Sequence, residues 1–330
     1  MKETKAPIKS DKSSDRILQE KNIKQLVDEG LNKINKNIKI NKRNKRQGRF
    51  SKLNFLIFLI KFICIIASFI FLKYFPFNFS VLEYLNIYIV ANKDFYNNLT
   101  NPYYKIICDN KTSQLKNQYQ LKIIETYENN ELFLKKRGYS EGSKIYYIWK
   151  KYKKREISSK YVGFNHYRRV FLFKNNIPDL DKIFNQSDSI INKKIKFSVN
   201  VKNQFSKCLS RKYIDEIEEI IKENFTEYYS QAIKSLNQNY FSCCNIFIMK
   251  QEDFIKYGEF VFGVLLEFDR RHKLNNDNDI KNLVSLEFKR EGIKSILYKS
   301  RLEAFLMERI SIIFYDYYFK KSHEIRVTHQ

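Results

Sequence analysis

Lys160-Tyr-Val-Gly-Phe-Asn-His-Tyr-Arg-Arg169 joins a short apolar run to a polar, positively charged one. The first five residues of this stretch are typical of a short buried β-strand. Two further strands are predicted at 85–91 and 245–249. Three helices are predicted at 144–154, 252–271 and 299–319. Strands separated by helices predict an α/β fold, and in open sheets of this kind ligands bind beyond the carboxyl ends of the strands. We therefore expect the chemistry after Ala91, after Phe164 and before Asn245.

The composition predicts a folded domain and excludes several classes of protein. With 330 residues, of which 43% are hydrophobic and 16% aromatic, the chain can bury a large core. It has only 8 Gly and lacks both the Gly-x-Gly-x-x-Gly dinucleotide turn and the phosphate-binding Gly-x4-Gly-Lys-Ser/Thr loop. The His-Glu-x-x-His and paired Cys-x-x-Cys patterns of zinc sites are absent too. The net charge of +25 is scattered rather than gathered in one segment, so we predict a solvated surface and no nucleic-acid partner.

The first part of the chain predicts a membrane anchor. Residues 1–52 form a basic tail with a net charge of +10, and residues 53–75 form an apolar run. At about 1.5 Å per residue this run is long enough to cross a hydrocarbon layer of about 30 Å as a transmembrane helix. Lys61 lies within it, and the long side chain can carry the ammonium group towards the nearer interface. A buried core helix is the alternative. Residues 76–84 then form a short stem, and residues 85–330 form the folded domain.

The distribution of charge around the apolar run predicts its orientation. Basic residues are much denser before the run than after it, which predicts a cytosolic N-terminus. The protein is thus interpreted as a single-pass type II membrane protein with a signal-anchor and a lumenal domain in the Golgi or ER. Five N-glycosylation sequons agree with a lumenal domain, although such triplets also arise by chance in an Asn-rich chain: Asn78, Asn98, Asn110, Asn185 and Asn224. The four cysteines beyond the run leave a disulfide open but do not form a disulfide framework.

Four ordered blocks of the C-terminal part resemble one known family. They are Glu141-Gly-Ser-Lys-Ile-Tyr-Tyr-Ile-Trp-Lys150, Tyr161-Val-Gly-Phe-Asn-His-Tyr-Arg-Arg-Val-Phe171, Asn245-Ile-Phe-Ile-Met-Lys250 and Arg301-Leu-Glu-Ala-Phe-Leu-Met-Glu-Arg-Ile310. These blocks resemble a domain-of-unknown-function family of capsular-polysaccharide-type glycosyltransferases with a His-Tyr-Arg-Arg motif, over about residues 85–319. The resemblance implies a GT-A-like, Rossmann-like mixed sheet flanked by helices, with a nucleotide-sugar site beyond the strands. The chain departs from the family pattern at Asn92, Tyr147 and Ala304.

The strand end after Phe164 is the predicted donor site. Transfer of a sugar from a nucleotide diphosphate requires stabilisation of the negative charge on the leaving diphosphate, and a guanidinium group can bind phosphate oxygens with two hydrogen bonds. In the alternative interpretation, one Arg packs against Tyr167, the other faces solvent or pairs with a carboxylate, and His166 caps the strand. We assign His166 to the catalytic residues. The predicted donor-binding residues are Lys93, Arg168, Arg169, Asn245 and Arg301.

The same strand end predicts catalysis without a metal ion. It supplies two guanidinium groups and no carboxylate, so it should repel a divalent cation, and no cofactor is expected to be required. Asp277 and Asp279 form an Asp-x-Asp triplet in a polar loop and are the fallback ligands for Mn²⁺ or Mg²⁺. A second triplet, Asp179-x-Asp181, is predicted to supply acids to a helix N-terminus.

Glu308 is the predicted catalytic base. In an inverting transfer the acceptor hydroxyl must lose a proton, and a positioned carboxylate is the usual base. An ion pair with Arg301, seven residues earlier on the same helix, is the alternative for Glu308. Glu141 and Trp149 are the predicted acceptor- or sugar-binding residues, with an ion pair and core packing as their respective alternatives.

Together these observations predict a membrane-anchored glycosyltransferase. It would transfer a sugar from a nucleotide-diphospho-sugar, with a UDP-sugar as the expected donor, to a glycan or glycoconjugate acceptor. Its partners would be the donor, the acceptor and the lipid bilayer. The competing interpretation is a non-catalytic, membrane-tethered glycan-binding or scaffold protein with the same fold.

Overall fold

The computed structural model describes residues 83–91, 99–109, 121–126 and 130–329. The chain divides into two units, Met1–Phe77 and Asn78–Gln330, and every described residue belongs to the second. The predicted tail and membrane span lie outside the described residues, as do Asn78, Asn92, Lys93, Asn98 and Asn110. Within the four described ranges, no helix is both long and apolar enough to cross a membrane.

A β-sheet forms the centre of the described domain. The strands are β1 (Glu83–Val90), β2 (Tyr104–Cys108), β3 (Lys122–Glu125), β4 (Ser159–His166), β5 (Arg169–Phe171), β6 (Ser189–Asn192), β7 (Ile195–Lys196), β8 (Tyr240–Phe241), β9 (Phe247–Lys250), β10 (Ser322–Ile325) and β11 (Val327–His329). The main sheet has the order β10-β6-β9-β4-β1-β2-β3, with β5 beside β4 and β11 beside β5. β7 and β8 form a separate antiparallel pair.

The main sheet has two halves that differ in strand direction. β4, β1, β2 and β3 are parallel neighbours, and we call them the parallel half. β9 runs antiparallel to both β4 and β6, and we call β9 and β6 the antiparallel half. β10 is parallel to β6 at the outer edge. The mixed α/β fold that the sequence predicts is therefore confirmed.

Helices cover the sheet. They are α1 (Lys136–Tyr139), α2 (Glu141–Lys153), α3 (Leu180–Phe184), α4 (Val201–Ser206), α5 (Arg211–Asn224), α6 (Thr226–Asn237), α7 (Gln251–His272), α8 (Asp277–Glu287), α9 (Ile293–Lys299) and α10 (Leu302–Tyr318). The three predicted helices correspond to α2, α7 and α10. The last of them starts at Leu302 rather than at 299, because Lys299 ends the separate helix α9.

The alternation of side chains along β4 explains how the strand directs its C-terminal residues. Val162 and Phe164 pack in the core cluster that includes residues of α2, α7 and α10, whereas Tyr161 packs in the cluster on the other face of the sheet. Because successive side chains of a strand point to opposite faces, His166 belongs to the same face as Phe164. The carboxyl end of β4 therefore directs His166 towards the helices that carry Glu141 and Glu308.

The helical layer contains a buried carboxyl group. Glu303, in the first turn of α10, is fully buried, and neither of its carboxylate oxygens has a hydrogen-bond partner in the described part of the chain. Burial raises the pKa of Glu303 well above its usual value, the charges of Asp269 and Asp277 raise it further, and Lys135 lowers it. Lys135 and Tyr139 both donate hydrogen bonds to Asp269 instead. Glu303 is accordingly expected to be neutral in the folded protein.

Replacement of Glu303 by glutamine should make stability less dependent on pH. Because the pKa of Glu303 is higher in the folded than in the unfolded chain, its contribution to the free energy of unfolding is fully present below the unfolded-state pKa, near 4.5. This contribution is lost as the pH rises above that value. Glu303→Gln removes this loss, so its melting temperature should exceed that of wild type at about pH 8 and approach it at about pH 5. Thermal unfolding of the full-length chain measures both.

The matched control for this experiment is Glu227→Gln. Glu227 is exposed on α6, so its loss of charge should change the melting temperature little at either pH. If Glu303→Gln melts below wild type at about pH 8, the carboxyl group is ionised and stabilising, and the interpretation of a neutral Glu303 is wrong.

Candidate active site

Polar side chains from four separate parts of the chain meet at the carboxyl end of β4. They come from the end of β4 and the turn into β5, the N-terminus of α2, the loop before β9, and the first half of α10. We call them the polar cluster, and its members are Ser140, Glu141, His166, Arg168, Arg169, Cys244, Asn245, Arg301 and Glu308. Apart from Lys93 and Trp149, the predicted catalytic, donor-binding and acceptor-binding residues are all in it.

His166 is held as a neutral imidazole. Its Nδ1 accepts a hydrogen bond of 3.1 Å from the backbone N–H of Arg168, which assigns the ring proton to Nε2. Burial lowers the pKa of His166 to about 4, and the nearby Arg168, Arg169 and Arg301 lower it too, while Glu141 acts in the opposite direction. At neutral pH the ring therefore has one N–H to donate.

The two arginines of the turn have no carboxylate partner among the described residues. Arg168 is exposed, and its guanidinium lies 5.2 Å from the centre of the Tyr167 ring. Arg169 is half-buried, and its Nη1 donates to the Cys244 sulfur at 2.6 Å. One arginine thus packs on Tyr167, as one sequence interpretation expected, but both guanidinium groups keep donors that an anion could use.

Arg301 pairs with Glu141, not with Glu308. Its Nη2 donates to Ser140 Oγ at 3.1 Å and lies 3.6 Å from Glu141 Oε2. Asn245 Nδ2 lies 3.5 Å from the other carboxylate oxygen of Glu141, and Asn245 Oδ1 accepts from Ser311 Oγ at 3.2 Å. The Arg301–Glu308 pair that sequence spacing suggested is wrong, because Arg301 precedes the first turn of α10 and points to the N-terminus of α2.

Glu308 is oriented by two donors. Its Oε1 accepts the backbone N–H of Cys244 at 2.8 Å, and its Oε2 pairs with Arg309 Nη1 at 2.9 Å. Burial raises the pKa of Glu308, and the charge of Glu141 raises it further, although Arg309 and the Cys244 N–H stabilise the ionised form. A carboxylate with a raised pKa and a fixed orientation has the properties of a general base.

The loop before β9 adopts an unusual backbone conformation at this point. Cys244 and Asn245 both have positive φ, 73° and 48°. Left-handed backbone is uncommon for residues other than glycine, and at functional sites it is often retained to aim a group. Here the turn aims the Cys244 N–H at Glu308. The predicted strand at 245–249 accordingly starts later, at Phe247.

Two groups of site residues were not predicted from the sequence. Arg309 is 3% exposed and is the ionic partner of Glu308, and its guanidinium also lies near the rings of Phe205 and Phe241. Cys243 and Cys244 have their sulfurs 3.2 Å apart. The sequence features that could have identified these residues are the adjacent Glu and Arg in the fourth block and the adjacent cysteines immediately before Asn245.

A cavity of about 340 Å³ opens beside Glu308 and Arg169. Its wall includes several aromatic rings, and the cysteine pair lines it next to Arg169 and Glu308. Two further cavities, of about 350 and 620 Å³, lie along α2 and near the start of β4, and neither is lined by a member of the polar cluster. We regard the cavity beside Glu308 as the relevant one because it alone of these three is lined by titratable groups of the cluster.

Three predicted residues lie away from the polar cluster. Trp149 is buried in the core, where its Nε1 donates to the carbonyl of Ile255 and its ring packs near Phe262. Asp277 accepts hydrogen bonds from the backbone N–H groups of Arg137 and Gly138. Asp279 closes the capping box of α8 with Asn276. The triplet that the sequence placed in a polar loop thus begins a helix.

Other sequence predictions concern the surface. Asp179 caps α3 by accepting from the backbone N–H of Lys182, so the predicted helix-start role is confirmed. Asn185 and Asn224 are exposed, as an acceptor of glycosylation must be. In the described ranges, no group of three or more His, Cys, Asp or Glu side chains is arranged to hold a metal ion.

Comparison with known proteins agrees with this architecture. A family profile described as a domain of unknown function, DUF4422, matches residues 86–286. The apo structure of the bifunctional glycosyltransferase WbbM is similar to the chain with a TM-score of 0.54 and 19% sequence identity, over 75% of this chain. The match covers 45% of the WbbM chain, so this chain spans less than half of that protein. Comparison with curated proteins gives no match.

Loss of the Arg309 guanidinium should destabilise the fold. Arg309→Met leaves the partly buried Glu308 carboxylate without its ionic partner, and breaking a largely buried pair in this way costs up to about 3 kcal/mol. The penalty should be smaller at about pH 5, where Glu308 can be protonated. Urea unfolding of the full-length chain measures the difference.

Arg270→Met is the matched control, since Arg270 pairs with Glu267 on the exposed face of α7. Water screens such a pair, so its removal should leave the unfolding midpoint almost unchanged. Equal midpoints for Arg309→Met and wild type would mean that the pair contributes nothing to stability.

Proposed function

The chain belongs to the DUF4422 family, and from this membership and its glycosyltransferase-like fold we propose that it transfers a sugar from a nucleotide-diphospho-sugar to a glycan or glycoconjugate acceptor. The observation that carries the proposal is the pair of arginines at the carboxyl end of β4, which lack a carboxylate partner in the described part of the chain and lie near a neutral histidine. Ligands of open α/β sheets bind at this edge.

Arg168 and Arg169 bind the donor diphosphate in this proposal. The leaving group gains negative charge as its bond to the sugar breaks, and guanidinium donors that are already in place stabilise that charge. His166 donates its Nε2–H to an oxygen of the donor, because its Nδ1 is occupied by the Arg168 backbone. Because the neutral ring already carries its proton on Nε2, it can donate this hydrogen bond at neutral pH, and the second ring nitrogen need not be protonated.

Glu308 acts as the base in an inverting transfer. It takes the proton of the acceptor hydroxyl as that oxygen bonds to the sugar's anomeric carbon, and the bond from this carbon to the diphosphate breaks with its electron pair. The proton passes to Glu308 and the charge to the diphosphate, so the step is balanced. Arg309 and the Cys244 N–H hold the carboxylate, and Arg301 and Glu141 act as positioning residues that hold α2 against α10.

The membrane anchor is part of the proposal on the strength of the sequence of residues 1–75. The basic tail and the apolar run support a type II protein with its catalytic domain in the Golgi or ER lumen. Protease added to sealed microsomes should then spare the domain. Its digestion without detergent would contradict the orientation.

A nucleotide-release assay tests the proposed activity. The full-length chain is offered UDP-, GDP- and CMP-sugars with a panel of glycan acceptors, and we expect nucleotide release, with UDP-sugars as the preferred donors. Glycan binding without nucleotide release from any donor would instead favour a membrane-tethered glycan-binding or scaffold protein.

Arg168→Ala and Arg169→Ala should each lower kcat/KM for the donor about 10- to 150-fold, equivalent to about 1.5–3 kcal/mol for a hydrogen bond to a charged group. Lysine at either position should rescue only part of the loss, because the forked geometry is missing. Arg290→Ala, which removes an exposed arginine after α8, is the control and should leave kcat/KM unchanged. Wild-type rates in both alanine variants would move the phosphate site elsewhere.

The activity should survive EDTA. The guanidinium groups of Arg168 and Arg169 supply the positive charge that a divalent cation would otherwise supply, and Asp277 and Asp279 are engaged in helix caps. The measurement is nucleotide release with and without chelator. Activity lost in EDTA, restored by Mn²⁺ and abolished by Asp279→Asn would show that this triplet is the metal motif after all.

A further inference from the structure

The cavity beside Glu308, which we call the aromatic cavity, has an apolar floor and an apolar rim. Phe205 and Phe241 form the buried floor, and Tyr298 and Ile195 lie at the rim. Tyr298 is 50% exposed and Ile195 is 45% exposed, which is high for large apolar side chains. Exposed apolar groups around a concave site indicate a ligand that covers them.

The polar groups that line the aromatic cavity are connected to one another, and we call them its polar end: Cys243 contacts Cys244, Cys244 contacts Arg169 and Glu308, Glu308 pairs with Arg309, and Arg309 contacts Gln204. The Glu308 carboxylate is oriented by the Cys244 N–H and Arg309. A ligand that fits must therefore be amphipathic, with an apolar face for the rings and hydroxyl or similar donors for the carboxylate. A pyranose ring has both, since its axial C–H groups form an apolar face and its hydroxyls lie around the edge.

The elements that line the aromatic cavity distinguish the acceptor site from the donor site. The parallel half carries the carboxyl ends of β1 and β4, where a nucleotide is expected in open α/β sheets. The aromatic cavity lies instead between the loop before β9, the β7–β8 pair and the helices α4, α9 and α10. Arg169 and Glu308 are shared between the cavity and the polar cluster, so the two are continuous.

We propose that the aromatic cavity binds a pyranose ring of the acceptor glycan, with a ring hydroxyl directed at Glu308. The proposal rests on the function proposed above and adds the site and chemical class of the acceptor. A volume of about 340 Å³ accommodates one or two sugar rings, so the terminal part of a glycan is recognised rather than a long chain.

Alkylation of Cys243 provides a direct test that does not need turnover. Cys243 is partly exposed at the polar end of the cavity, and its sulfur accepts hydrogen bonds from Cys244 Sγ and Asn192 Nδ2, which favours the reactive thiolate. The full-length chain is treated with iodoacetamide in the presence of millimolar p-nitrophenyl glycopyranosides of glucose, galactose, mannose and N-acetylglucosamine, and in separate samples with millimolar UDP or GDP. Peptide mass mapping then measures the labelling of Cys243.

At least one glycoside should slow the labelling of Cys243 about tenfold, because a bound ring covers the thiol. Tyr298→Ala should abolish most of this protection and, in turnover assays, raise the acceptor KM at least about tenfold with the donor KM unchanged. The matched control is Tyr317→Ala, which removes a similarly exposed tyrosine near the other end of α10 and should keep full protection.

Three results would overturn the proposal: protection by UDP or GDP but by no glycoside, protection by none of the compounds, or equal protection in Tyr298→Ala and wild type. The first would assign the cavity to the donor nucleotide. The nucleotide-release assay separates the two proposals. Glycoside protection without nucleotide release would leave a glycan-binding cavity in a protein that is not a transferase, whereas release without protection would leave the transferase and remove this acceptor site.

Discussion

β4 lies between β1 and β9 with side chains buried on both faces, and the positions of His166, Arg168 and Arg169 depend on it. Its close packing is evident at Gly163, where a Cβ atom would lie 2.8 Å from Ile248 Cγ1 and 3.2 Å from the Phe247 carbonyl oxygen. A strand held from both sides cannot shift by one residue, because a shift would exchange its two faces. His166 is thereby held on the face of α2 and α10, and the turn that follows presents the arginines.

Some charged groups of the site pair with one another, whereas, among the described residues, Arg168 and Arg169 do not. Glu141 pairs with Arg301, and Glu308 pairs with Arg309, so each of these two carboxylates has a guanidinium partner. Such pairs contribute little net stability, but removal of one partner is expensive, and they fix geometry. Arg168 and Arg169 have no carboxylate partner in the described ranges, which leaves a local excess of positive charge where β4 ends. An anion that binds there neutralises charges that have no carboxylate partner in the described part of the chain.

Local sequence patterns identified much of the scaffold. Apolar runs located β1 and β4, and helical periodicity located α2, α7 and α10 with ends within three residues of those observed. Four sequence blocks brought His166, Arg168, Arg169, Glu141, Asn245, Arg301 and Glu308 under consideration, and the fold gathers all of them. The other strands of the described residues were not predicted, since short strands carry little periodicity and many of their hydrogen-bond partners are distant in the chain: β2, β3, β5, β6, β7, β8, β10 and β11.

The sequence alone located three strands and three helices of the described domain, showed which strand end is rich in cations, and placed a basic tail before an apolar run. Tertiary structure decided the partners. Arg301 pairs with Glu141, which is about 160 residues away in the chain, and Glu308 accepts a hydrogen bond from the Cys244 N–H. Asp277 and Asp279 accept hydrogen bonds at helix N-termini. It also formed the aromatic cavity from α4, α9, α10 and the β7–β8 pair. Periodicity reports which face of an element is buried, but an ion pair or a cavity depends on which distant element covers that face, and no local pattern contains this information.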